Sequence, residues 1–167
     1  MIAQDELRSI LSYDPSTGNF TWLVNNRGHA RAGDIAGTIQ RKGYRAIKIS
    51  GRLYQAHRLA WLYVHGRWPT SVIDHANGVP DDNRLCNLRE ATHAENQQNR
   101  LRAQVNNRCG LLGVSPCGKT GRFRARIRLA GKEISLGAFK TAEEASAAYV
   151  KAKAEIHPFS NTNSIAA

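Results

Sequence analysis

The sequence predicts an α+β protein of two small modules, the second a three-stranded antiparallel sheet packed on one helix. Three observations carry that reading. Arg122, Arg124, Arg126 and Arg128 alternate with Phe123, Ala125, Ile127 and Leu129, the period of a strand with one basic face and one apolar face. Behind a capping box made by Thr141 and Glu144, Ala145, Tyr149, Ala152 and Ile156 recur at helical spacing. Charge is also uneven: residues 1–100 carry 13 basic and 9 acidic side chains, a balance of +4, and residues 101–167 carry 11 and 4, a balance of +7 on a shorter stretch.

Taken in order, Gln4 to Leu11 forms a short helix with Leu7, Ile10 and Leu11 on one side. Asp14-Pro15-Ser16-Thr17-Gly18 is a turn before the extended Asn19 to Leu23, and a loop rich in Gly and Arg follows. From Gly43 the chain alternates through Tyr44, Ala46, Ile47 and Ile49, turns at Ser50-Gly51 and resumes with Leu53 and Tyr54, the pattern of a hairpin. His57 to His65 is a helix with Leu59, Leu62 and Tyr63 on one side, ended by Gly66 and Pro69. An apolar approach, Val72-Ile73, leads to Asp74-His75 and an irregular segment from Asn77 to Asn83. Thr92 and Glu95 have capping-box spacing, so a helix starts there and carries Asn96 in its early turns. Gln97 to Asn107, with Arg100, Arg102 and almost nothing apolar, reads as a linker or as the tail of that helix, its arginines suited either to solvent or to a phosphate backbone. In the last module Ala130-Gly131 turns the arginine strand into a second, Lys132 to Leu136, Gly113-Val114-Ser115 supplies a third, and the small alanines let the final helix lie close against the apolar face.

The chain has 167 residues with 24 Lys plus Arg against 13 Asp plus Glu, a formal charge of +11, which points to a polyanionic partner. Cys86, Cys109 and Cys117 form no CxxC pair and no even-numbered framework, so the sequence favours a reducing compartment over a disulfide scaffold and argues against zinc. No stretch approaches the roughly 18 apolar residues of a membrane span. A soluble cytoplasmic protein is the expectation.

Hydrolysis of a phosphodiester needs a base for the attacking water and a cation to stabilise charge on the phosphate and leaving oxygen. Asp74-His75 offers both kinds of group side by side, although neighbours on a regular strand point to opposite faces. The pair works if Asp74 binds the ion while His75, in a distorted position, faces the water. Asn96 adds a neutral oxygen ligand suited to Mg²⁺ or Mn²⁺, and Asn87 closes the Asn77 to Cys86 loop. Each residue also has a plainer reading. Asp74, Asn83 and Asn87 are good turn caps, an Asn on a helix is commonly solvated, and His57 suits a structural hydrogen bond between helix and loop.

The segments His57-Arg58-Leu59-Ala60-Trp61, Val72-Ile73-Asp74-His75-Ala76-Asn77-Gly78, Asp82-Asn83-Arg84-Leu85-Cys86-Asn87-Leu88-Arg89 and Thr92-His93-Ala94-Glu95-Asn96 resemble the HNH endonucleases of phages and mobile introns. The resemblance implies a ββα-metal module, two strands and a helix around one divalent ion. It makes His75 the first His and general base, Asn87 the central Asn, and Asp74 with Asn96 the metal ligands, Asn96 standing where a last His often stands. It spans about residues 1–100 and lacks the CxxC pairs that hold a structural zinc in many such proteins.

On the arginine strand, four guanidinium groups suit phosphates or guanine edges, and Lys119 and Lys132 are expected to extend the same surface. Gly113-Val114, Gly121 to Arg128, Leu136-Gly137-Ala138-Phe139 and Thr141 to Tyr149 resemble the Apetala/ethylene-response-factor DNA-binding domain, whose three-stranded sheet enters the major groove. Arg128 matches the arginine of that family's Ile-Arg pair and Phe123 sits at a usual tryptophan. Leu112, Ser115 and Ser135 depart from its pattern, so its base preference does not carry over.

The expectation is therefore an HNH endonuclease domain at residues 1–100, a linker at 101–112 and an Apetala/ethylene-response-factor-like domain at 113–157. Together they cut or nick double-stranded DNA with Mg²⁺ or Mn²⁺, as a monomer or a homodimer, in the manner of a homing or prophage-encoded nuclease. The alternatives are a non-catalytic DNA-binding regulator and an RNA-binding module.

Overall fold

The computed structural model describes residues 1–25, 30–100, 103–104, 106–157 and 160. Arg102 and the side chain of Lys119 lie outside that description. The chain divides into two compact units, Met1–Thr92 and His93–Ala167.

In the first unit, α1 (Gln4–Ile10) runs straight into β1 (Leu11–Tyr13). Leu11, expected as the end of the helix, begins a strand instead: Leu11 and Tyr13 both reach the interior with Ser12 outside, an alternation that only extended backbone gives. β1 pairs antiparallel with β2 (Phe20–Trp22), which sets Tyr13 opposite Phe20. β3 (Thr38–Ile39), β4 (Arg45–Ile49) and β5 (Arg52–Gln55) form an antiparallel sheet in that order. The β4–β5 turn is Ser50-Gly51 with φ of 48° and 81°, the two left-handed positions that match the twist of a tight hairpin. α2 (Ala56–His65) follows β5 directly, so residues 45–65 make a ββα run, and Gly66 ends the helix in the left-handed conformation at φ 72°. Leu7, Leu11, Phe20, Ile47 and Leu59 are fully buried in one core, each such side chain contributing about 1.5–3 kcal/mol. β6 (Val72–His75) and β7 (Leu88–Ala91) are an antiparallel pair whose inner residues Ile73 and Leu88 join that core.

The second unit begins with α3 (His93–Gln98). Its sheet is β8 (Val114–Pro116), β9 (Phe123–Leu129) and β10 (Lys132–Phe139), with β9 central and both neighbours antiparallel to it. β10 extends beyond the expected Leu136 through a bulge between Ser135 and Gly137, which lets the strand keep pairing to Phe139. α4 (Ala142–Ile156) starts at the expected capping box, with Thr141 accepting from the Glu144 backbone at 3.1 Å. It packs on the sheet through Ala145 and Tyr149 against Val114, Ala125 and Ile127. Gly113, at φ 72°, lies under the Tyr149 ring so closely that a Cβ there would fall 2.0 Å from it. Among the described residues no helix is long and apolar enough to cross a membrane.

Candidate active site

Asp74 and His75 end β6, each only 5% exposed. The distorted backbone expected at His75 is not found. Pairing runs regularly through Asp74↔Arg89 and His75↔Leu88, and the Ala76 N–H to Asn87 carbonyl bond at 2.9 Å carries the ladder onward. The two side chains therefore leave opposite faces of the strand. Asp74 meets Arg89, whose Nε and Nη2 donate to Oδ2 at 2.9 and 2.8 Å.

His75 enters a cluster of rings and amides. Its ring lies 5.8 Å from Tyr44 and 5.1 Å from His57, the latter edge to face at 82°, and Nε2 is 3.2 Å from Asn83 Oδ1. Burial lowers the His75 pKa, opposed by the Asn83 bond and by Asp74, Asp82 and Asp81, so the ring is neutral and able to accept a proton at ordinary pH. His57 is pushed down to about 3 by burial first, then by His75 and Arg58. The hydrogen bond expected to tie His57 between helix and loop is not made at Nδ1, which is buried without a partner among the described residues. The His57 ring lies 5.5 Å from that of Tyr44, tilted at 59°, and edge to face with that of His75.

The loop between the two strands is held from within. Asn87, 6% exposed, accepts the Asn77 N–H at 2.9 Å and donates from Nδ2 to the Asp82 carbonyl at 2.7 Å. Asn77 Nδ2 donates to Asp82 Oδ2 at 2.7 Å, and Arg84 donates to both carboxylate oxygens of Asp82, which holds that acid at about 2. Arg45 makes a two-pronged bond with Asp81, both contacts at 2.8 Å. A polar loop of this length keeps one shape because nearly every turn of it has a side-chain partner.

Asn96 is partly exposed on α3, in the second unit. Among the described residues no three His, Cys, Asp or Glu side chains gather as a metal-ligand group. The donors the sequence singled out are of another kind, one carboxylate and one amide oxygen, which suit a hard cation that keeps several water ligands.

On the second unit's sheet, Arg124 and Arg128 are exposed, and Arg122 stands exposed just before β9. Arg126 is tethered: Nη1 donates to Glu133 at 2.8 Å and Nη2 to Ser115 Oγ at 3.3 Å. Lys132 departs from expectation. The register sets it opposite Leu129, on the side of Ile127 rather than that of the arginines, and the β10 residue placed among the arginines is Glu133, opposite Arg128. Arg100 is exposed, and its carbonyl accepts from the buried Lys153 Nζ at 2.6 Å.

Sequence reasoning missed Tyr44, Arg89 and the His75 contact of Asn83. In the Asp82-Asn83-Arg84 run Asn83 has the residue type of a turn cap, and nothing in the spacing links Tyr44 or Arg89 to the Asp74-His75 pair.

Residues 54–98 match the family model described as HNH endonuclease, so this segment is similar to HNH-type endonuclease domains. A solved structure of DNA binding and cleavage by the HNH homing endonuclease I-HmuI is similar at 26% identity and a TM-score of 0.42, covering 54% of this chain and 51% of that one. The chain thus spans about half the length of that relative. No curated protein matches.

Proposed function

We propose that this chain is a metal-dependent endonuclease of duplex DNA in which His75 is the general base. The observation that carries the reading is the buried Asp74-His75 pair at the end of β6, inside the segment that matches the HNH endonucleases, with an imidazole that burial keeps neutral. Asp74 would hold the divalent ion. Asn96 is proposed as its second protein ligand on the sequence motif. When bound, Mg²⁺ or Mn²⁺ supplies positive charge for the phosphate and for the departing oxygen.

The chain's own residues do the rest. His75 takes one proton from water; the resulting hydroxide oxygen bonds to phosphorus, and the bond from phosphorus to the 3′ oxygen breaks. The 3′ oxygen takes a proton from solvent, leaving a 3′ hydroxyl and a 5′ phosphate. Asn87 ties the 77–82 loop that follows the base, and Arg89 pairs with the Asp74 carboxylate. One base and one ion cut one strand per visit, so a monomer nicks and a dimer breaks both strands.

The second unit is proposed as the DNA anchor, an Apetala/ethylene-response-factor-like domain following a linker at 101–112. Arg122, Arg124, Arg126 and Arg128 would face the duplex, with Arg100 and Arg102 along the backbone. The supporting observation is the exposed arginine side of β9. Duplex DNA is proposed over RNA on the resemblance of both modules to DNA-cutting and DNA-binding families. A homing or prophage role belongs to the same proposal, as does a cytoplasmic setting.

A plasmid assay tests the whole reading. The intact chain converts supercoiled to nicked or linear DNA with Mg²⁺, not with chelator, and His75→Ala abolishes cutting while retaining DNA binding. Equal cutting by His75→Ala would end it.

A further inference from the structure

Asn83 is 1% exposed, more deeply buried than Asp74, His75 or Asn87, although it belongs to a polar loop. A buried amide of this kind is held by its hydrogen bonds, and here they fix which way it faces. Nδ2 donates to the Asp81 carbonyl at 3.2 Å, so Oδ1 is the atom turned to His75 Nε2, also at 3.2 Å. An amide oxygen only accepts. Nε2 must therefore carry the hydrogen, and the lone pair that takes a proton lies on Nδ1.

Asn83 is in turn seated by the N-terminal hairpin. Tyr13 donates from its buried hydroxyl to the Asn83 carbonyl at 2.7 Å, and the Leu85 N–H donates to the Pro15 carbonyl at 3.2 Å. Gly18, at φ 76°, presses against the same stretch of backbone: a Cβ there would fall 2.4 Å from the Arg84 nitrogen and 2.5 Å from the Asn83 carbonyl carbon. The turn that presents Gly18 is itself fixed by Asp14, which accepts from the Ser16 N–H, the Ser16 hydroxyl and the Thr17 hydroxyl at 2.8, 2.7 and 2.9 Å.

We propose that Asn83 is the positioning residue of the site: its amide oxygen holds His75 as the Nε2–H tautomer, and Tyr13 with the Asp14–Gly18 turn holds that amide in place. The assignment rests on the reading of His75 as the base and names the atom, Nδ1, that accepts the proton. Partners of this kind fix tautomer and ring direction; their loss from a metal-ligating histidine costs about 10- to 100-fold, and a comparable factor is expected for a histidine that must face a water.

The test is nitrogen NMR of the full chain, with the His75 ring identified by the signals missing from His75→Ala. In the wild type, above the histidine titration range, Nε2 gives a protonated-type signal with a slowly exchanging hydrogen and Nδ1 an unprotonated one. A proton on Nδ1, or a rapid average of both forms, overturns the proposal. In Asn83→Ala the Nε2 hydrogen exchanges fast, and kcat for nicking falls by about 10- to 100-fold with KM for the duplex unchanged. Asn83→Asp, which keeps an acceptor, recovers part of both. An unchanged ring spectrum in Asn83→Ala also overturns the proposal. Should Asn83→Ala fail to fold, the wild-type tautomer still decides, and Tyr13→Phe is expected to speed Nε2–H exchange; no change there removes the hairpin from the proposal. A chain that shows the tautomer and cuts nothing ends the nuclease reading but supports the Asn83 assignment. Cutting by a chain with Nδ1 protonated ends the assignment alone.

Discussion

Arg89 places both of its hydrogen bonds to Asp74 on a single carboxylate oxygen, Oδ2, at 2.9 and 2.8 Å. Asp74 is almost wholly buried, whereas the Arg89 side chain is 30% exposed, so the acid depends on the guanidinium more than the guanidinium depends on the acid. The same carboxylate is the proposed seat of a divalent cation. A divalent ion held there would place its charge beside the guanidinium, on the same buried carboxylate.

Replacing Arg89 with Gln separates those roles. Without metal, the buried Asp74 loses the two guanidinium bonds, and the protein should be destabilised by about 1–3 kcal/mol, between the values for exposed and buried pairs. With Mg²⁺ the variant should gain more stability than the wild type, because with the guanidinium gone the folded variant binds the ion more tightly and mass action stabilises it more. Melting temperatures in chelator and in Mg²⁺ check this. A variant whose loss is the same in both conditions would remove Asp74 from the metal site.

Glu133 restrains the basic sheet. Its bond to Arg126 is partly exposed, and such pairs contribute about 0.2–1 kcal/mol, so freeing the guanidinium by Glu133→Gln should raise affinity for duplex DNA by at most about fivefold. Removing a carboxylate also makes the salt dependence steeper, by a slope of up to about one. Anisotropy titrations at several salt concentrations give both quantities. Weaker binding by the variant would place Glu133 among the groups that contact DNA rather than those that restrain Arg126.

The sequence disclosed the second unit more fully than the site. Alternation from Arg122 to Leu129 and the Thr141 capping box are local patterns, and local patterns survive folding: β9 and α4 stand where the periodicity put them. Lys132 was misplaced because its face depends on the register across the Ala130-Gly131 turn, which periodicity within one strand does not set. In the first unit, Asp74, His75 and Asn87 were legible as a motif, and their roles remain proposals. The Tyr13–Asn83 bond was not legible, since it joins residues 70 positions apart and follows from how the core positions β1.

Acid should weaken the first unit through its histidines. His57 has an ordinary value of 6.5 and about 3 when folded, so between those limits the unfolded chain binds more protons than the folded one. The stability that a neutral buried His57 allows is complete above 6.5 and is lost as pH falls toward 3; His75, lowered in the same direction, adds to the loss. His57→Phe keeps a ring against Tyr44 and His75 but cannot charge. Its melting temperature should fall less steeply with acid than the wild type's, and parallel pH profiles would mean that His57 does not titrate between those limits.

Lys153 poses the same case at alkaline pH in the second unit. It is 1% exposed, and burial lowers its amine to about 8 from 10.5, while Nζ donates to the Arg100 carbonyl at 2.6 Å. Below 8 the folded state carries a charge it solvates poorly; between 8 and 10.5 the unfolded chain holds the proton more readily, so stability rises with pH across that window. Lys153→Met keeps the length of the stem and abolishes the charge, and it should flatten this rise, worth at most about 2 kcal/mol once screening is allowed for. Near neutral pH the gain from losing a poorly solvated charge opposes the loss of the Arg100 bond, and the net change should stay within about 1 kcal/mol of zero. Urea unfolding at neutral and alkaline pH measures both. A large loss for Lys153→Met at neutral pH would show that the bond to Arg100, rather than the cost of the buried charge, dominates at this position.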